Sequence, residues 1–185
     1  MTLEEKGLQY KTIEEDLRAP SAELLRLHPQ GKVPLLLHDG VAIHESSVIT
    51  EYLEDLFPDP TLMPQSPLGR AQMRLWTFWV NELFKPDLDS FKYKWEKLSE
   101  AEKANLLERL RAHLQKLELT LAENEFLLGT QFTLADIHVF PFYRQFEKAH
   151  ANFANLFQPK FARAWLERIT ARDSFARVMR KNLVS

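Results

Sequence analysis

Residues 31–47, GKVPLLLHDGVAIHESS, decide how the rest of the chain is read. Two short apolar runs, residues 33–37 and 41–43, flank His38-Asp39-Gly40, and the Asp-Gly pair supplies the positive-φ residues that a tight hairpin needs. Two antiparallel strands are therefore predicted. Directly after them, Glu45-Ser46-Ser47 precedes Val48, Ile49, Tyr52, Leu53 and Leu56, whose spacing predicts a helix.

Toward the N-terminus, Ser21 caps a short predicted helix in SAELLRLH, closed by Pro29 and Gly31. Residues 8–13, LQYKTI, alternate apolar and polar as a half-buried strand does. The predicted order is strand, helix, strand, strand, helix. Toward the C-terminus, residues 57–69, FPDPTLMPQSPLG, hold four prolines, which lack backbone donors and favour extended or turn conformations, so they read as a linker.

Everything beyond is helical in pattern. Met73, Trp76, Trp79, Val80 and Leu83 form an apolar stripe that is expected to end near Lys85-Pro86. Ser99 with Glu102 makes a capping box for a long helix carrying Leu106, Leu107, Leu110, Leu114, Leu117 and Leu121. Thr133-Leu134-Ala135-Asp136 is a second capping box. It opens LADIHVFPFYRQF, apolar on most sides as a central bundle helix is, with Pro141 expected to kink it. Phe161, Trp165 and Ile169 mark a further helix, and residues 175–179 a last one. The expected domains are an α/β unit over 1–57, a linker over 58–69 and an all-helical domain over 70–185.

Composition narrows the function. The 185 residues carry 24 Lys and Arg against 26 Asp and Glu, a net charge of -2 with no basic block, so the electrostatic footprint of a nucleic-acid binder is missing. No apolar run reaches membrane-spanning length. With no cysteine there is no disulfide, thiolate nucleophile or cysteine-ligated zinc, and the start has no signal-peptide pattern; a cytoplasmic protein is expected. Five scattered glycines make no phosphate cradle. The six histidines include no i,i+4 pair, so no metal site is expected, and His138 reads as a core histidine.

The combination of Lys32-Val33-Pro34, the hairpin, Glu45-Ser46, the proline-rich linker and Thr133-Leu-Ala-Asp136 resembles the glutathione transferase superfamily over nearly the whole chain. The FPFYRQF and FKY segments make it similar to bacterial members. The resemblance implies an incomplete thioredoxin-like unit followed by an all-helical domain, acting on glutathione as substrate and, as partner molecule, a small electrophile or disulfide, in a homodimer. It implies that Val33 pairs its backbone with the cysteinyl part of glutathione, that the Val33–Pro34 peptide is cis, and that Ser46 and the adjoining helix start hold the γ-glutamyl carboxylate while Glu45 meets the ammonium. Lys32, and less directly Gln30, would meet the glycine carboxylate; otherwise Lys32 is an exposed loop charge. Trp76, Trp79 and Tyr93 either wall the second-substrate pocket or belong to the core, and a tryptophan stripe at helical spacing favours core. Thr133 and Asp136 are assigned to capping alone.

A complete member of that superfamily begins with a strand and a helix whose first turn presents Ser, Tyr or Cys to the glutathione sulfur. Residues 1–7 match the end of that helix, which implies that the thiol-facing residue lies upstream of Met1. No residue of the chain is assigned the catalytic role, and Tyr10 reads as a sheet residue. The expected activity is conjugation of glutathione to electrophiles, or glutathione-dependent thiol exchange, once such a residue is present. The alternative is a catalytically silent binding or scaffold protein of the same fold.

Overall fold

The computed structural model describes residues 1–149 and 158–180. The chain divides into two compact units, Met1–Met63 and Pro64–Ser185.

The first unit holds helices α1 (Thr2–Glu5) and α2 (Ala22–Leu27), strands β1 (Leu35–His38) and β2 (Val41–His44), and helix α3 (Ser46–Leu56). The strands pair antiparallel, Leu35 opposite His44 and His38 opposite Val41. Asp39 and Gly40 take φ of 49° and 77°, the pair of positive values a two-residue hairpin turn requires. Ser21 accepts a bond from the Leu24 amide at 3.1 Å and so starts α2.

Residues 8–13 form no strand, which corrects the expectation from their alternation. A strand needs a ladder partner, and among the described residues β1 and β2 pair only with each other. Tyr10 is consequently not a sheet residue; it is 44% exposed and its hydroxyl donates to Glu4 at 2.7 Å.

A buried polar knot closes this unit. Lys6 Nζ lies 2.8 Å from Glu54 Oε1, with side chains 0% and 4% exposed. The same ammonium donates to the carbonyls of Phe57 and Pro60, while Glu54 accepts from the Leu62 amide at 3.1 Å and the Met63 amide at 3.2 Å. Residues 57–63 are therefore bound into the first unit. The linker expected over 58–69 was inferred from missing proline donors, but it is the carbonyls of this run that Lys6 uses.

The second unit is helical: α4 (Pro67–Phe78), a π-helical turn (Trp79–Phe84), α5 (Lys85–Tyr93), α6 (Glu100–Glu123), α7 (Leu134–Ala149), α8 (Lys160–Thr170) and α9 (Asp173–Met179). The helix begun by α4 does not end at Lys85-Pro86 as expected. In the π turn the Lys85 amide bonds the Val80 carbonyl, five residues back, and Pro86 follows within the first two positions of α5. The wider turn absorbs the proline that would break a regular ladder. It also resets the stripe: Phe84, Leu88 and Phe91 are buried, whereas Leu83 is 48% exposed.

Helix α6 begins with the predicted box. Ser99 Oγ accepts from the Glu102 amide at 3.3 Å, and Glu102 accepts from the Ser99 amide at 2.8 Å. Leu106, Leu110, Leu114, Leu117 and Leu121 are buried along one face, and Leu107 stands beside it half-buried. Helix α7 is buried continuously from Leu134 to Phe140, and Pro141 sits inside it without ending it.

Asp136 organises the start of α7. Its carboxylate accepts from the Thr133 amide at 2.9 Å, the Thr133 hydroxyl at 3.1 Å, the Leu127 amide at 3.0 Å and Trp165 Nε1 at 2.8 Å. The Asp136 amide bonds the Thr133 carbonyl. The acidic half of the expected box is thus present, while the threonine hydroxyl donates to the carboxylate rather than receiving the amide. Burial raises the Asp136 pKa and the four donors oppose that shift.

Candidate functional site

Residues 44–48 carry the densest chemistry of the first unit. Glu45 occupies the N-cap of α3 with φ 67° and ψ 119°, and no side chain caps the helix. Its position in a region that L-residues rarely occupy stores backbone strain, as residues at functional sites often do. The first α3 amides and the exposed Ser46 hydroxyl therefore face outward at the positive end of an 11-residue helix, an arrangement suited to a carboxylate.

The loop before β1 carries the second set of residues. The Val33–Pro34 peptide is cis, the isomer the resemblance implies, and Lys32, Val33 and Pro34 are exposed. Val33 also lines a cavity of about 490 Å³ whose walls include Leu8, Tyr10, Leu37, His38 and Tyr52. That volume suits a small ligand, and largely apolar walls with a few polar groups are typical of such sites. The polar groups include Gln9, Lys11, Glu15, Glu23 and the His38 Nδ1–Tyr52 hydroxyl pair, 2.8 Å apart. Of the residues singled out in the sequence, Val33 borders this cavity, while Glu45 and Ser46 stand together at the start of α3.

One grouping was not legible in the sequence. His28, His44 and Glu45 bring potential ligand atoms within 4.8 Å of one another. The His28 and His44 rings lie 4.6 Å apart between centroids, and His28 Nδ1 accepts from the Gln30 amide at 3.2 Å. The 15 residues between the histidines hide this proximity from any spacing rule; only the hairpin and the turn after α2 create it.

In the second unit, His138 is a core histidine, its Nδ1 2.7 Å from Thr77 Oγ1. Trp76 and Trp79 are buried and meet edge to face at 5.2 Å, and Trp79 stacks on Phe84 at 5.3 Å, which favours the core reading for both. Tyr93 is 64% exposed on the last turn of α5. His113 Nε2 lies 3.1 Å from Asp87, which Arg109 also grips, and burial lowers the His113 pKa against the pull of Asp87.

An α/β unit with an uncapped helix start beside a cis-proline loop, followed by a helical bundle, defines a two-domain ligand-binding class. Comparison with known proteins identifies which one. Residues 1–56 match the glutathione S-transferase N-terminal domain and residues 100–168 the glutathione S-transferase C-terminal domain. A probable glutathione S-transferase parC of Nicotiana tabacum is 34% identical over 184 residues, 96% of this chain and 80% of that protein. The stringent starvation protein A homolog of Haemophilus influenzae is 31% identical over 175 residues, 95% of this chain and 80% of that protein. Among solved structures, the beta-etherase LigF of Sphingobium sp. strain SYK-6 superposes with a TM-score of 0.80 at 28% identity, covering 95% of this chain and 90% of the other. A Tau class glutathione S-transferase from mango shares the fold with a TM-score of 0.85 at 24% identity, covering 97% and 85%. The chain belongs to the glutathione S-transferase family, and its function is glutathione S-transferase-like.

Among the described residues no helix is long and apolar enough to cross a membrane.

Proposed function

We propose that the first unit binds glutathione and presents its sulfur to a small electrophile or a disulfide, and that the chain works as a homodimer. The observation that carries this reading is the open start of α3, where an exposed serine and uncapped amides follow a strained glutamate. The γ-glutamyl carboxylate takes the Ser46 hydroxyl and the α3 amides, and Glu45 takes the neighbouring ammonium. The backbone at Val33, ahead of Pro34, pairs with the cysteinyl residue, and Lys32 meets the glycine carboxylate. Conjugation moves the sulfur lone pair onto the electrophile and releases the leaving group. For that, the thiol proton must first leave, a step assigned to no described side chain.

Thermal unfolding with and without glutathione tests the binding. Saturation at 100 times the dissociation constant adds about 2.7 kcal/mol to stability and raises the melting temperature. Ser46→Ala is expected to weaken glutathione about tenfold while leaving the ligand-free melting temperature nearly unchanged. An unshifted melting temperature at millimolar glutathione would sink the reading. Turnover of a model electrophile separates a working transferase from a silent binding module of the same fold.

A further inference from the structure

We propose that His28, His44 and Glu45 form a binding site for one divalent transition-metal ion of zinc type, next to the start of α3. Four observations support it. Two imidazoles and one carboxylate are a donor set that suits zinc and its neighbours, whereas magnesium and calcium favour all-oxygen surroundings. The three ligand atoms already lie within 4.8 Å of one another. Ligands around one tetrahedral ion at zinc distances stand about 3.4 Å apart, so the site must contract by roughly 1.4 Å at most. His28 is 5% exposed and forms the buried wall, while His44, whose ring already lies 4.6 Å from that of His28, and Glu45 are exposed.

The backbone explains why consecutive residues both reach His28. Neighbours on a strand point to opposite faces. His44 ends β2, and the positive φ of Glu45 breaks the pleat there, so its carboxylate turns to the side that His44 occupies. Three protein ligands leave a fourth position for water, the pattern of an open zinc site.

The site carries its own reporter. The Gln30 amide donates to His28 Nδ1. Coordination through Nδ1 takes the lone pair that Gln30 uses, and coordination through Nε2 moves the ring proton to Nδ1, where it faces the Gln30 N–H. In either case the Gln30 amide loses its acceptor when the ion binds.

The test is calorimetric titration of the full chain with zinc chloride alone, alongside the amide spectrum of the ¹⁵N-labelled protein. The expected result is one equivalent bound, a displaced Gln30 amide resonance, and affinity at least tenfold weaker in His44→Gln and in Glu45→Gln. His113→Gln, altered in the second unit, should bind as the wild type does. His44 and Glu45 are exposed, so those variants should fold. Zinc binding unchanged in His44→Gln, a stationary Gln30 resonance at saturation, or no binding would each overturn the proposal.

The metal site does not depend on the glutathione reading, but both use Glu45, so zinc should weaken the binding of S-methylglutathione, which lacks a free thiol to chelate the ion. Stoichiometric zinc with no such competition keeps the metal site and removes Glu45 from the glutathione contacts. Glutathione binding without zinc binding removes the metal site and leaves the glutathione reading standing.

Discussion

The two units bury different things. Among the described residues the first buries few large apolar side chains, Leu24, Ile49, Leu53 and Leu62, and leaves Tyr10, Ile13, Val33, Leu37, Val48 and Phe57 exposed. The second packs Trp165, Tyr143, Phe84, Phe146 and, from α6, Leu106, Leu110, Leu114, Leu117 and Leu121 almost completely away from water. Each also encloses a carboxylate that gathers backbone amides. Glu54 has a buried cation, Lys6, as partner, whereas Asp136 accepts from the Leu127 and Thr133 amides, the Thr133 hydroxyl and the Trp165 indole, all neutral donors. The first unit, short of hydrophobic burial, is held by a paired charge, and the second, rich in it, tolerates a buried carboxylate that, among the described residues, is met by neutral donors.

Removing Lys6 strikes that difference hardest. Lys6→Met should cost about 3–5 kcal/mol, since Glu54 is left buried without its cation. All four tryptophans, Trp76, Trp79, Trp95 and Trp165, lie in the second unit. Hydrogen exchange across α3 should therefore accelerate strongly while the urea midpoint followed by tryptophan fluorescence stays in place; a shared shift would mean that one cooperative event unfolds both units. Asp136→Asn comes next. Its amide group turns a donor toward the Thr133 or Leu127 N–H, and orphaning one such buried donor costs about 1–3 kcal/mol. Here the fluorescence transition should fall and α3 exchange should not.

The smallest effect concerns pH. Burial lowers the His113 pKa from its ordinary 6.5, so the folded state binds fewer protons than the unfolded state below that pH. Stability contributed by the neutral ring is present above about 6.5 and declines as pH falls through it. His113→Gln should flatten the pH dependence of the fluorescence-detected urea midpoint in that window. A slope as steep as the wild type's would assign the acid sensitivity to other groups.

Elements whose signals are local were legible in the sequence. The Asp39-Gly40 turn, the Ser21 cap and the Ser99–Glu102 box each depend on residues two or three positions apart, and their geometry follows from side-chain chemistry alone. Residues 8–13 failed because alternation states a preference for pairing and cannot supply the partner strand. The π turn was missed because a proline in a helical pattern reads as a stop, while the compensating slack lies in the six residues before it. For the site, Lys32, Val33, Pro34, Glu45 and Ser46 rest on resemblance alone, because no local pattern of residues states which of them meets a ligand. His28 with His44 was illegible, because their approach is a product of tertiary folding.

The Lys6–Glu54 knot also says where the chain can be cut. The matched N-terminal family segment stops at residue 56, yet the carbonyls of Phe57 and Pro60 and the amides of Leu62 and Met63 complete the shell around that ion pair. A protease nick after Leu56 would strip the shell from both charges at once and expose them to competing water. A cut after Met63 would leave it whole. A version of the first unit that keeps this shell therefore ends seven residues beyond the homologous segment, at the point where the last amide on Glu54 has been supplied.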